Sequence, residues 1–102
     1  MIDWDRVTEL KSEVGEDGFA EIGQIFIAEI EAKLAEIASG DPDASDFHFL
    51  RGSAANLGLA AFAASCSAAE AQAKAGAEID LADLAETFAL SLHEMGPAFD
   101  AA

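Results

Sequence analysis

No stretch of this chain alternates apolar and polar residues long enough to form a strand, whereas apolar residues recur every three or four positions through almost its whole length. That pattern admits helices packed on helices. Ile2, Trp4, Val7, Leu10 and Val14 mark a short first helix, which Gly15 stops and which is expected to cap the bundle. Asp17 can cap a second helix with the longest apolar stripe, Phe19, Ile22, Phe26, Ile30, Leu34 and Ile37, ending at Ser39-Gly40. Ile25 and Ile27 lie off that stripe, so either the first helix covers them or they belong to an exposed apolar patch. Asp41-Pro42 predicts the start of a third helix, with Asp accepting free first-turn N–H groups and Pro at the first helical position. Phe47, Leu50, Ala54 and Leu57 give this helix its core face, and Asn56-Leu57-Gly58 ends it. A fourth, Ala-rich helix runs from Leu59 to about Ala75 with Phe62, Cys66, Ala69 and Ala73 at helical spacing, closed by Gly76. Asp80 caps a fifth, striped by Leu81, Leu84, Phe88, Leu92 and Met95, which Gly96-Pro97 is expected to break or kink before a short tail.

A chain of 102 residues supports one hydrophobic core, so residues 1–102 are expected to form a single domain. Four long helices joined by short connections pack antiparallel to their neighbours. The expected fold is all-α: an antiparallel up-down-up-down four-helix bundle with an additional short N-terminal helix. The formal charge of −15, from 20 acidic against 5 basic residues, repels phosphate backbones and anionic bilayers, which makes nucleic acid and membrane surfaces poor partners. Cys66 is the single cysteine, so an internal disulfide and a multi-cysteine metal site are excluded, and it reads as a small core residue. The chain opens with no basic segment followed by an apolar run, and no apolar run approaches the roughly 20 residues needed to span a bilayer. A soluble, cytoplasmic protein is expected. A complete bundle has no need of a second subunit, so a monomer is expected as well.

With Phe47 and Leu50 turned inward, the helical rotation of about 100° per residue places His48 on the outer surface. One turn away lie Ala44 and Ser45 before it and Arg51 and Gly52 after it. Glycine in a helix interior costs about 1 kcal/mol relative to alanine, which this chain uses freely, so Gly52 calls for another reason. Access is one: without a Cβ there, a bulky partner can bring a reactive group up to the ring. Arg51 supplies a fixed cation that can pair with phosphate oxygens. Across the tight reversal at Gly58-Leu59, positions equidistant from the turn come level, and the position level with His48 is about Glu70. A carboxylate there can accept the Nδ1 proton, fix the tautomer and leave Nε2 as the nucleophile. Gln72 lies about 200° around the helix from Glu70 and cannot serve instead. His93 has no glycine one turn away and reads as structural or solvated; Asp46 reads as a helix-surface charge and Phe49 as a boundary residue.

The run His48-Phe49-Leu50-Arg51-Gly52-Ser53-Ala54-Ala55-Asn56-Leu57-Gly58 closely resembles the signature of histidine-containing phosphotransfer domains. In that signature a histidine is followed by any residue, Leu, Lys or Arg, Gly, a run of small residues, Leu and Gly. The match covers eleven consecutive positions, and the five-helix layout is similar over nearly the whole chain. The resemblance implies a phosphorelay carrier that is not itself an enzyme. His48 would take a phosphoryl group from a receiver-domain aspartate, or directly from a histidine kinase, and pass it to a response-regulator receiver domain. It implies no cofactor on this chain, with Mg²⁺ and the catalytic groups supplied by the receiver. Carried over by position, His48 is the phosphoacceptor, Arg51 stands where members usually have Lys, Gly52 gives access, and Glu70 falls where many members carry Gln or Glu. Arg for Lys keeps the charge and changes its shape. A docking patch for the receiver would include Phe49, Ala55 and Ile25.

Two readings from other classes stand beside this one. A helical-bundle interaction module could bind and regulate a kinase or receiver without carrying phosphate; a degenerate carrier usually loses the histidine or the glycine, and both are present. A metal or haem bundle needs converging ligands, whereas His48, His93 and Cys66 show neither paired spacing nor a Glu-x-x-His motif. The phosphorylated domain of a chemotaxis-type kinase is a close relative of the first reading. The starting Met and the lack of an ATP-binding segment favour a stand-alone carrier.

Overall fold

The computed structural model describes residues 1–99, and side-chain surroundings as far as Gly96. Among these residues there are four helices and no strand: α1 (Trp4–Ser39), α2 (Ala44–Leu57), α3 (Ala60–Lys74) and α4 (Leu81–Phe99). Gly15 interrupts α1 with φ 79° and ψ 167°, a conformation that residues with a Cβ rarely adopt. A straight helix of these 36 residues would measure about 54 Å, more than the molecule's 44 Å greatest extent, so the segment before Gly15 bends away. The helical conformation is thus broken at Gly15, as expected, and two helical segments meet across a kink there.

The bend seats the chain start on the α2–α3 turn. The Asp3 N–H donates to the Gly58 carbonyl at 2.8 Å, and the Ala61 N–H donates to the Met1 carbonyl at 2.9 Å. Arg6 Nε donates to the Asn56 carbonyl at 2.9 Å. Ile2, Val7 and Leu10 are buried there, while Trp4 and Val14, expected in the same stripe, stay exposed.

Helix α2 starts two residues later than Asp41-Pro42 predicts. Its cap is Asp43, whose side chain accepts from the Ser45 and Asp46 N–H groups, while Asp46 accepts from the Asp43 N–H at 3.0 Å. This reciprocal box needs a carboxylate three residues past the cap; Asp46 provides it for Asp43, and Ala44 could not for Asp41. Asp46 is thus more than a surface charge, and it also pairs with Lys33 at 3.3 Å. At the other end Gly58 adopts φ +92°, and its N–H reaches the Ala54 and Ala55 carbonyls. A Cβ on Gly58 would meet Val7 Cγ2 at 3.0 Å and the Asp3 carbonyl at 3.1 Å. The reversal into α3 is consequently fixed from both sides.

Asp80 caps α4 by accepting from the Asp83 N–H at 2.9 Å. Helix α4 does not end at Gly96-Pro97 but continues to Phe99. Proline's fixed φ is itself helical, and what it removes is one backbone donor. The short tail expected beyond lies outside the described residues.

Helix α2 packs against α1 and α3, α3 against α4, and α4 against α1. Phe19, Ile30, Phe47, Leu50, Leu57, Phe62 and Met95 lie fully inside, and the Phe62 and Phe88 rings pack at 5.0 Å between centroids. Cys66 is buried among them, and burial pushes its thiol pKa up to about 12, as befits an inert core residue. Ile27 packs onto this core, whereas Ile25 is exposed, so the two off-stripe isoleucines part company.

Candidate functional site

Five of the fourteen α2 residues, Phe47, Leu50, Ser53, Ala54 and Leu57, are buried, which fixes the helix's rotation. His48 then lies on the face opposite the core, with its side chain 60% exposed. Helix α1 flanks this face on the Phe49 side, where Lys33 Nζ stands 5.3 Å from the centroid of the Phe49 ring. Helix α3 flanks it on the Arg51 side and contributes Glu70.

The turn at Gly58 brings Glu70 level with His48, as the register count predicts. Glu70 Oε1 and Oε2 both lie 3.3 Å from His48 Nδ1. Arg51 Nη2 approaches the same Nδ1 at 2.9 Å, and Arg51 Nε stands 3.8 Å from Glu70 Oε1. Lys74, one turn along α3, reaches Glu70 Oε2 at 3.3 Å. Two of the chain's five basic residues therefore converge on one carboxylate beside the imidazole. Among the described residues, the contacts of His48 all fall on Nδ1, and Nε2 has no partner.

Glu70 is half-buried, and desolvation alone would raise its pKa. Lys74, and the His48 imidazole whenever its Nδ1 bears a proton, outweigh that effect by hydrogen bonding and charge and hold the carboxyl below its ordinary value, so it is ionised at neutral pH. A fixed anion, two cations and an open imidazole nitrogen make up the site. Such a set can orient a nucleophile and balance the charge of an arriving anion.

Gly52 lies one turn from His48 on the same face. A Cβ built there would meet nothing within 4 Å, so no neighbour in this molecule requires glycine. Its space is open to a partner. Ala55 and Phe49 on α2 and Ile25 on α1 are also exposed, Ile25 at 57% and Phe49 at 42%.

His48, Arg51 and Glu70 thus come together, with Gly52 beside them. Two participants escaped the sequence reading. Lys74 was legible as a cation four residues past Glu70, a spacing that pairs on a helix. Lys33 is long-range in sequence from Asp46 and Phe49, and no local pattern announces it. Gln72 lines an open cleft of about 230 Å³ between α3 and the start of α4, together with Ser65, Ile79 and Leu84, and so lies away from Glu70's surroundings. His93 is exposed on α4.

No family model matches the chain, and no curated protein or solved structure does either. Among the described residues no helix is long and apolar enough to cross a membrane.

Proposed function

We propose that this protein is a phosphorelay carrier in which His48 accepts a phosphoryl group on Nε2 from a receiver aspartate or a histidine kinase and passes it to a receiver aspartate. The observation that carries the proposal is the surround of His48: an exposed ring engaged only through Nδ1, a Gly52 that nothing inside the molecule requires, and a cation at Arg51. The phosphotransfer-like run from His48 to Gly58 supplies the identity of the transferred group.

In the step itself the Nε2 lone pair forms the N–P bond as the acyl phosphate P–O bond breaks, and the bonding pair leaves on the aspartate carboxylate. Glu70 accepts the hydrogen bond from Nδ1–H and faces the positive ring that results. Arg51 pairs with phosphoryl oxygens. Phosphoryl transfer asks mainly for alignment and charge neutralisation, so a carrier needs little beyond these groups. The receiver would bring Mg²⁺ and the remaining catalytic residues, and would dock over Phe49, Ala55 and Ile25. In this reading the chain is an antiparallel up-down-up-down bundle with the segment before Gly15 as an added N-terminal helix. It acts as a monomer in the cytoplasm.

Incubation with a phosphorylated receiver or cognate kinase should give acid-labile, base-stable label on wild type and none on His48→Gln. Absence of label on wild type, or equal label on H48Q, overturns the reading.

A further inference from the structure

We propose that Arg51 is a positioning residue that decides which ring nitrogen of His48 carries the proton, capping Nδ1 at rest and freeing the nucleophile when it leaves for an incoming phosphoryl group. The chemical consequence rests on the phosphotransfer reading; the proton placement does not.

A guanidinium has donors only. Its 2.9 Å contact to Nδ1 therefore needs a lone pair on that nitrogen. In the neutral ring the proton then sits on Nε2, the outward nitrogen, which has no lone pair to attack with. Glu70, an acceptor only, needs the opposite arrangement, a proton on Nδ1. The two partners exclude one another at one atom. The lengths decide between them at rest: 2.9 Å is a full hydrogen bond, whereas 3.3 Å to each carboxylate oxygen is at the edge of one.

Glu70 meanwhile stays in place and ionised, held by Lys74 at 3.3 Å and by Arg51 Nε at 3.8 Å. Arg51 is 43% exposed, free enough to move. Phosphoryl oxygens bear charge and accept from a guanidinium more strongly than an imidazole lone pair does. When such a group arrives beside Nε2, Arg51 transfers to it. Nε2 then gives its proton to water while Nδ1 takes one from water, with no net change, and Nδ1–H donates to the waiting Glu70. Only now does Nε2 carry the pair that forms the N–P bond. One cation thus couples arrival of the anion to activation of its acceptor, and Lys74 keeps Glu70 from following Arg51.

The test is ¹⁵N NMR of the His48 imidazole at a pH alkaline enough for an imidazole ring to be neutral. Wild type is expected to have Nε2 protonated and Nδ1 bare. Arg51→Ala is expected to move the ratio toward Nδ1–H by about tenfold or more, the size of one lost charge-assisted hydrogen bond. Arg51→Met, which keeps the aliphatic stem, reads the same way should truncation disturb packing. A wild-type ring already protonated on Nδ1, or a ratio unchanged in both variants, overturns the proposal. Label on His48 without a tautomer change overturns this proposal and leaves the phosphotransfer reading standing. The tautomer change without label on wild type sinks the phosphotransfer reading and leaves the proton placement standing.

Discussion

At Gly52 a methyl group would touch nothing in the molecule, and the position lies inside a helix. Alanine there should stabilise the fold by about 1 kcal/mol, because it restricts the unfolded chain and favours helix. The same methyl stands one turn from the imidazole, on the face that the proposed phosphotransfer would have a partner approach. Gly52→Ala is therefore expected to raise the thermal midpoint while slowing phosphoryl transfer to His48, read by melting and by label uptake on one preparation. A variant that gains stability and transfers at the wild-type rate removes access as the reason for glycine. Ser91 offers the contrast of a residue whose polarity serves nothing visible. Its Oγ is buried with no hydrogen-bond partner among the described residues. Leaving a buried hydroxyl unpaired costs about 1–3 kcal/mol, so Ser91→Ala should stabilise by about 1 kcal/mol once the small loss of volume is subtracted. Denaturant unfolding checks the sign, and transfer should be unaffected because Ser91 lies on α4, away from His48.

Helix α2 carries the site, and its two ends set where the site points. At its C-terminal end, Gly58→Ala would impose a Cβ on a φ of +92° and press it against Val7 and the Asp3 carbonyl. The left-handed conformation alone costs a non-glycine residue about 1–2 kcal/mol, and the contacts add to it. Lower stability is expected, with weaker pairing of Glu70 to His48 as the register loosens; a melting point equal to wild type contradicts this. At the N-terminal end, hydrogen bonds from the Ser45 side chain and backbone and from the Asp46 N–H lower the Asp43 pKa. A carboxyl with a depressed folded pKa contributes stability above its unfolded pKa and loses it as pH falls through the folded one. The melting difference between wild type and Asp43→Ala should accordingly hold steady above about pH 5 and shrink below the ordinary carboxylate range. A difference that grows on acidification would reverse the assigned sign. These ends also explain what was readable in the sequence. Phe47, Leu50, Ala54 and Leu57 announced the core face by spacing alone, and the glycine at 58 fixed the register that brought Glu70 to His48. Asp41-Pro42 misled because a cap is decided by its partner three residues on, and Asp43 has one in Asp46. The Lys33 contacts with Asp46 and Phe49 were invisible, since they depend on how α1 lies against α2 and not on either stripe. The competition of Arg51 and Glu70 for one nitrogen was likewise beyond reach: spacing brings groups near but does not say which atom each one meets.

Across the whole molecule the net charge is −15, and none of the five Lys and Arg side chains stands idle. Arg6 pairs with Glu9, Lys33 with Glu36 and Asp46, and Arg51 and Lys74 with Glu70, while Lys11 lies 5.1 Å from the centroid of the Phe19 ring. The surface field is therefore strongly negative, and it acts on two processes with opposite sign. Within the compact chain like charges repel, so salt should raise the thermal midpoint by screening them. On the proposed phosphotransfer reading, the same field would steer association with a receiver that presents basic groups around its aspartate, so salt should slow the encounter. Both responses belong in one titration, from about 0.01 M, where the screening length is about 30 Å, to about 1 M, where it is about 3 Å. The midpoint should climb while the association rate falls, and the dissociation rate, set by short-range contacts at the apolar patch, should change least. A midpoint that falls with salt would mean that the local ion pairs outweigh the global repulsion. An association rate indifferent to salt would mean that the partner's docking face is not basic, and that Phe49, Ala55 and Ile25 alone select it.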